Sequence, residues 1–114
     1  MHCRIDMGPS LRWGDGGFVR DGWVYIMTNR PFGTLYVGVT SNPAARVWRH
    51  RNGTGSAFCR QHGLKRLVYL EHHERIYDAI AREKAIKAWK RNWKLRQIVD
   101  ANPDWRDLFD EINN

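Results

Sequence analysis

Cysteine is nearly missing from this chain of 114 residues. Cys3 and Cys59 stand far apart, so no disulfide framework is available and no Cys/His spacing suits zinc. His72 and His73 are adjacent, and neighbouring side chains on a strand or helix aim apart, so they read as surface residues ahead of a helix. No apolar run approaches the length of a membrane span. The start, Met1-His2-Cys3-Arg4-Ile5-Asp6, lacks the apolar core of a signal peptide. Internal repeats and low-complexity tracts are absent too. Acidic residues are scarce: 12 Asp and Glu face 19 Lys and Arg, a formal net charge of +7. These absences exclude a disulfide-stapled scaffold, a helical membrane protein and a repeat array. They set the expectation of a reduced, cytoplasmic protein with no membrane partner.

What is present fits one domain, whose core is modest but sufficient without staples. The basic balance draws polyanions such as nucleic acid, although charge also serves solubility alone. Six tryptophans are the second departure from ordinary composition.

Glycines and Pro9 break up residues 1–20 without periodicity, predicting a poorly ordered tail outside the core. A domain is expected over residues 21–112. Strands are predicted over 23–28 and 34–40, followed by a helix capped by Asn42, with Pro43 at its first position, running to Arg51. A short helix is predicted at 57–61 and a third strand at 67–71. A long helix should cover 75–91 and a further piece 94–101, stopped by Asn102-Pro103. Asp104 would then cap a last short helix through Trp105, Leu108 and Phe109. This order implies an α+β fold, a three-stranded antiparallel sheet flanked by helices.

Two tyrosines carry the most information. Tyr25 and Tyr36 lie in Trp23-Val24-Tyr25-Ile26 and Leu35-Tyr36-Val37-Gly38, either side of the turn signal Asn29-Arg30-Pro31-Phe32-Gly33. If Thr28 and Gly33 close the hairpin, Tyr25 falls directly opposite Tyr36. Alternation then puts Val24, Ile26, Leu35, Val37 and Val39 on one face and both phenols on the other. A cross-strand aromatic pair is worth roughly 0.2–1 kcal/mol and explains two strand tyrosines without any chemistry.

Two further features converge on the phenols. Arg46 and His50 stand four apart, on one face of the helix leaving the second strand. Glu83 interrupts the apolar stripe Ile76, Ala79, Ile80 and Ile86 on the long helix, where a carboxylate is costly unless a cation or hydrogen bonds meet it. Either an internal arginine such as Arg46 pairs with it, or it is a ligand for a hard cation such as Mg²⁺.

Together, Tyr25, Tyr36, Arg46, His50 and Glu83 resemble the GIY-YIG nucleases. Trp23-Val24-Tyr25 stands at the first signature, with Trp and Val in place of Gly and Ile. Tyr36-Val37-Gly38 stands at the second. Arg46-x-x-x-His50, ten and fourteen residues after Tyr36, looks like the family's catalytic arginine and following histidine. Ala81-Arg82-Glu83-Lys84 looks like the helix bearing its metal-binding glutamate. Thr34–Thr40, Lys65–Tyr69 and Asn102–Leu108 are similar to the small single-domain bacterial branch, so the resemblance covers roughly residues 22–112. One three-letter motif recurs by chance; five positions at this spacing are far more specific. An asparagine the family carries after the glutamate helix has no clear counterpart, with Asn92 and Asn102 as candidates.

The resemblance implies a metal-dependent endonuclease that hydrolyses phosphodiester bonds in DNA, RNA not excluded, without sequence preference or with a preference for nucleic-acid structure, and with a role in repair or processing. It implies that Glu83 holds Mg²⁺ or Mn²⁺, that Arg46 donates to phosphate oxygens, and that Tyr25, Tyr36 or His50 serves as base. Arg49, Arg51, Lys84, Lys87, Lys90, Arg91 and Lys94 would hold the nucleic-acid backbone, since phosphate contacts position without reading sequence. A module of the same fold that binds and does not cut is the alternative. Exposed aromatics near the C-terminal end leave room for a homodimer.

Overall fold

Branched and aromatic residues alternate through three strands, and helices cover both faces of the sheet they form. The computed structural model describes Ile5–Asp6 and residues 20–112. Its elements are β1 (Ile5–Asp6), β2 (Gly22–Thr28), β3 (Leu35–Thr40), α1 (Pro43–Arg51), α2 (Ala57–His62), β4 (Arg66–His73), α3 (Ile76–Ala88), α4 (Arg91–Ala101) and α5 (Phe109–Ile112). The antiparallel strands are β3, β2 and β4, and β1 adds two residues in parallel beside Val39 and Thr40, giving the order β1-β3-β2-β4. Apart from Ile5–Asp6, the tail expected over residues 1–20 lies outside the described residues up to Arg20.

The hairpin register differs from the expected one by two residues. Thr28 pairs with Leu35, which sets Tyr25 opposite Gly38 and Tyr36 opposite Met27. The cause is a longer loop. Thr28 Oγ1 donates to Thr34 O at 2.7 Å, Asn29 Oδ1 accepts from Thr34 N at 3.1 Å, and Gly33 N donates to Arg30 O at 2.9 Å. These bonds take Thr34 out of the strand. A shift of two preserves which face each side chain takes, so both phenols still share one face.

Val24, Ile26, Leu35, Val37 and Val39 pack on that sheet's other face against Ile76, Ala79 and Ile86 of α3 and Ile98 of α4. Tyr25, Met27 and Tyr36 pack against Val47 of α1, Cys59 of α2, Leu64, Leu67 and Phe109 of α5. Each fully buried aliphatic side chain contributes about 1.5–3 kcal/mol. Burial pushes the Cys59 thiol up to about 12, against the smaller opposing pull of Ser56 and Arg46, so it stays protonated and packs as a hydrophobe.

Three boundaries depart from expectation. The predicted helix 75–91 stops at Ala88, and the chain is extended through Trp89 and Lys90 before α4 begins at Arg91. An unbroken helix would place Lys87 at i, i+3 and i+4 spacings from Lys90 and Arg91, and the break takes those two like-charge pairs off one helix face. Next, β4 extends through His72 and His73, so these are strand-end residues. Last, Asp104 caps nothing among the described bonds. Asp107 instead accepts from Phe109 N at 3.1 Å and from Leu67 N at 3.2 Å. With Asn102 Nδ2 donating to Val68 O and Leu108 N to Leu67 O, the segment 102–108 closes the outer edge of β4.

On the α3 side of that strand, Glu71 accepts from Tyr69 Oη at 2.5 Å, His73 Nε2 at 2.6 Å and Arg82 Nε at 3.0 Å. Burial works to raise the Glu71 carboxyl, but these donors outweigh it and hold it below the ordinary carboxylate value. A carboxylate with a depressed folded value contributes stability above its unfolded pKa and loses it as pH falls through the folded one. Glu71→Gln should therefore lower the denaturation midpoint at pH 7, and its difference from wild type should shrink as pH falls below about 4.3, the ordinary glutamate value. Chemical denaturation between pH 7 and pH 3 measures this.

Gly38 gives the second expectation. A Cβ at this position would collide with the Cζ and Oη of Tyr25, so the tyrosine ring lies over bare backbone. Gly38→Ala should cost about 1–3 kcal/mol, the usual cost of overpacking, in chemical denaturation.

Candidate active site

Pairing across β2 and β3 brings the two phenols onto one face, and α1 delivers a guanidinium and an imidazole to them. The helix can begin directly after β3 because Asn42 Oδ1 accepts from Ala45 N at 3.1 Å and Pro43 occupies the first turn. One turn and two turns further on, Arg46 and His50 face the sheet, 3% and 1% exposed. Arg46 Nε donates to Tyr25 Oη at 3.2 Å, and Tyr25 Oη lies 2.9 Å from His50 Nε2. The Tyr25 and Tyr36 rings are 6.3 Å apart, and the His50 ring meets Tyr36 edge-on at 5.3 Å.

The donor inventory fixes the direction of these bonds. Arginine only donates, so Tyr25 Oη accepts from Arg46 and keeps its own hydrogen for another partner. With His50 in the Nδ1–H tautomer, that hydrogen points at Nε2. Arg46 also hydrogen-bonds to Tyr36. Burial works against its charge, but the two phenols outweigh burial and raise it above the ordinary arginine value. The site thus holds a permanent cation over two phenol oxygens.

Gly55 positions the imidazole. A Cβ there would come within 2.8 Å of His50 Nδ1, so the loop after α1 lies flat against the ring. Tyr36 also lines a pocket of about 220 Å³ with this loop and the start of α2. Sequence reasoning passed over the loop as a connection, and only its glycines could have signalled a close backbone approach.

Glu83 comes from the other layer. It is 3% exposed on the α3 stripe that packs over β2 and β3, and its Oε2 has no hydrogen-bond partner among the described residues. The structure therefore gathers Tyr25, Tyr36, Arg46 and His50 into one cluster, and α3 brings Glu83 to the same two strands. β3 carries Tyr36 on one face and lies under α3 on the other. A buried carboxylate with an unfilled oxygen suits a hard cation that keeps most of its water, as Mg²⁺ does. Among the described residues, no group of three or more His, Cys, Asp or Glu could hold a metal, which disfavours a site built wholly from protein ligands.

The expected backbone-binding residues divide. Lys84, Lys90 and Arg91 are exposed, and Arg49, Lys87 and Lys94 are partly buried. Arg51 is committed to Asp107 Oδ2 at 2.5 Å and lies over the Phe109 ring. Arg91 donates to Phe32 O and Gly33 O of the hairpin loop at 2.7 and 2.8 Å. Burial, with Arg91 and Lys87 nearby, lowers the Lys94 ammonium below the ordinary lysine value. Of the two candidate asparagines, Asn102 is buried and spends its amide on Val68 O, Arg106 O and Arg106 N, while Asn92 is exposed on α4. Among the described residues, no helix is long and apolar enough to cross a membrane.

Comparison with known proteins agrees with this geometry. The model of the GIY-YIG catalytic domain matches residues 21–96. A UPF0213 protein of Clostridium perfringens is 36% identical over 91 residues, covering 80% of this chain and 97% of its own. A UPF0213 protein of Pseudomonas aeruginosa is 34% identical over 77 residues, covering 68% and 74%. One from Staphylococcus aureus is 38% identical over 68 residues, covering 60% and 83%. No solved structure matches at a significant level. A tyrosine pair on adjacent strands, an Arg-x-x-x-His helix packed on it and a domain match over most of the chain have one common account: this is a small bacterial member of the GIY-YIG family.

Proposed function

We propose that this protein is a metal-dependent endonuclease that hydrolyses phosphodiester bonds in DNA, independently of sequence or by preference for nucleic-acid structure, in repair or processing. The observation that carries this reading is the Tyr25 hydroxyl, held between Arg46 Nε and His50 Nε2. A packing tyrosine needs no such pair of partners. A general base does.

A phosphodiester resists hydrolysis because it is already anionic and its leaving alkoxide is poor. Catalysis needs a deprotonated water and neutralisation of the charge on the phosphorane. A phenol at its free pKa of about 10 is a weak base. Here Arg46 favours negative charge on the Tyr25 oxygen, and His50 can take the hydroxyl proton. Tyr25 would pass that proton to His50 Nε2 and accept one from the attacking water, so that hydroxide bonds to phosphorus as the bond to the leaving oxygen breaks and the released alkoxide takes a proton from solvent. The guanidinium of Arg46 would donate to the non-bridging oxygens, and Tyr36 would hold Arg46 in place. Glu83 would bind one Mg²⁺ or Mn²⁺, which supplies further neutralisation of the phosphate and the leaving oxygen. Lys84, Lys87, Lys90, Arg91 and Lys94 would hold backbone phosphates.

Cleavage of labelled single-stranded, duplex and branched DNA with Mg²⁺ or Mn²⁺ tests this. Wild type should cut at least one substrate. Tyr25→Phe keeps the ring and removes the relay, and should cut at least a hundredfold more slowly, within the roughly 10²–10⁴ range of general acid–base catalysis. Glu83→Gln should bind and not cut. Equal rates in wild type and both variants would reject the assignment. The logarithm of affinity should also fall linearly with the logarithm of salt concentration, as displacement of counterions requires. Binding indifferent to salt between 50 and 200 mM would remove nucleic acid as the ligand.

A further inference from the structure

We infer that the pocket beside Tyr36, walled by Thr54, Gly55, Ser56, Phe58 and Arg60, receives a single unpaired nucleotide next to the scissile bond, so that the enzyme acts where nucleic acid is not fully paired. This inference rests on the nuclease reading of the Tyr25 cluster and names the substrate class of that site.

Three observations lead there. The first is position. Tyr36 belongs both to the buried cluster and to the pocket wall, and Gly55 touches His50 on one side while facing the pocket on the other. Whatever fills this space lies against the groups proposed to activate the attacking water.

The second is shape and chemistry. About 220 Å³ is below the roughly 300–1,000 Å³ of sites for drug-sized ligands, and suits one base rather than a base pair. Phe58 offers an aromatic wall, lying near-parallel to Tyr36 at 28° with centroids 6.2 Å apart. A ring can stack only on a base whose face is uncovered, which a base inside a duplex cannot offer. The hydroxyls of Thr54 and Ser56 give polar edges, and exposed Arg60 makes no ion pair among the described residues.

The third is the space beyond Phe58. The same ring lines a second pocket of about 300 Å³ with Thr34, Leu35, Arg91 and Lys94. Arg91 and Lys94 line this space with Lys87 close by, and none of the three makes an ion pair among the described residues. A phosphate entering this second space would supply the missing charge. Base in the first pocket and neighbouring phosphate in the second define a path for one strand around Phe58.

The test uses the full chain and three labelled substrates: a single strand, a perfect duplex, and a duplex with one unpaired nucleotide. Wild type should cut the single strand and the bulged duplex about tenfold or more faster than the perfect duplex. Ala57→Trp fills the pocket from an exposed position and replaces no residue of the core or the catalytic cluster. Phe58→Leu keeps apolar bulk and removes the ring. Both should lose that preference, with a thermal melt showing each still folded. A strand bearing 2-aminopurine should be quenched on binding Glu83→Gln protein, and the quenching should vanish when Ala57→Trp is added. Equal cutting of duplex and single strand, or wild-type preference and quenching in both pocket variants, would overturn the inference while leaving the nuclease reading intact. If wild type cuts none of the three, the nuclease reading fails, and the quenching experiment still decides whether the pocket takes a base.

Discussion

One hydroxyl organises this protein. Tyr25 Oη accepts from Arg46 and faces His50, and it can do so only because its ring lies across the bare backbone of Gly38. The requirement reaches outward. A ring over Gly38 fixes the register of β2 on β3, and that register sets the point at which α1 must leave the sheet. The start of α1 then decides which of its side chains look inward, and Arg46 and His50 do so beside Val47. A surface helix would spend those two residues on water.

The price of this arrangement is a core that is half polar. Aliphatic side chains fill the face under α3 and α4, while the face under α1, α2 and α5 encloses phenols, a guanidinium and an imidazole. Buried polar groups are tolerated when hydrogen bonds meet them, and the bonds of Tyr25 to Arg46 and His50 lend these three side chains rigidity. Rigidity is useful to a site that must present a cation and a base to phosphate at fixed spacing, because groups already in place need no reorganisation during the reaction. Glu83 sits differently, buried on the α3 stripe with an unfilled oxygen, a position that would be simply unfavourable without a ligand to meet it.

Much of this was legible in the chain. Alternation in β2 and β3 separates phenol face from aliphatic face, and this survives the hairpin's extra length because a slip of two residues leaves every side chain on its own side. The spacing of Arg46 and His50 predicts a shared helix face, and the interrupted stripe marks Glu83. Other features depended on contacts between distant segments. The helix break after Ala88 carries no glycine or proline, and Asp107 rather than Asp104 caps the last helix because Leu67 needs the same oxygen. The pocket beside Tyr36 was illegible for another reason. Glycine, serine and threonine in a connection look like a connection, and only folding shows that their backbone encloses a space against Phe58.

The clasp formed by Asn102, Asp107 and Leu108 has a bearing on how the protein can be handled. By occupying backbone groups of Leu67 and Val68, it covers the first part of this border of the sheet. Removing it would uncover a ready template for strand addition, the usual starting point of self-association. A tag attached after Ile112 leaves the clasp in place, whereas a chain shortened to the end of α4 would open that stretch of β4 to a second copy.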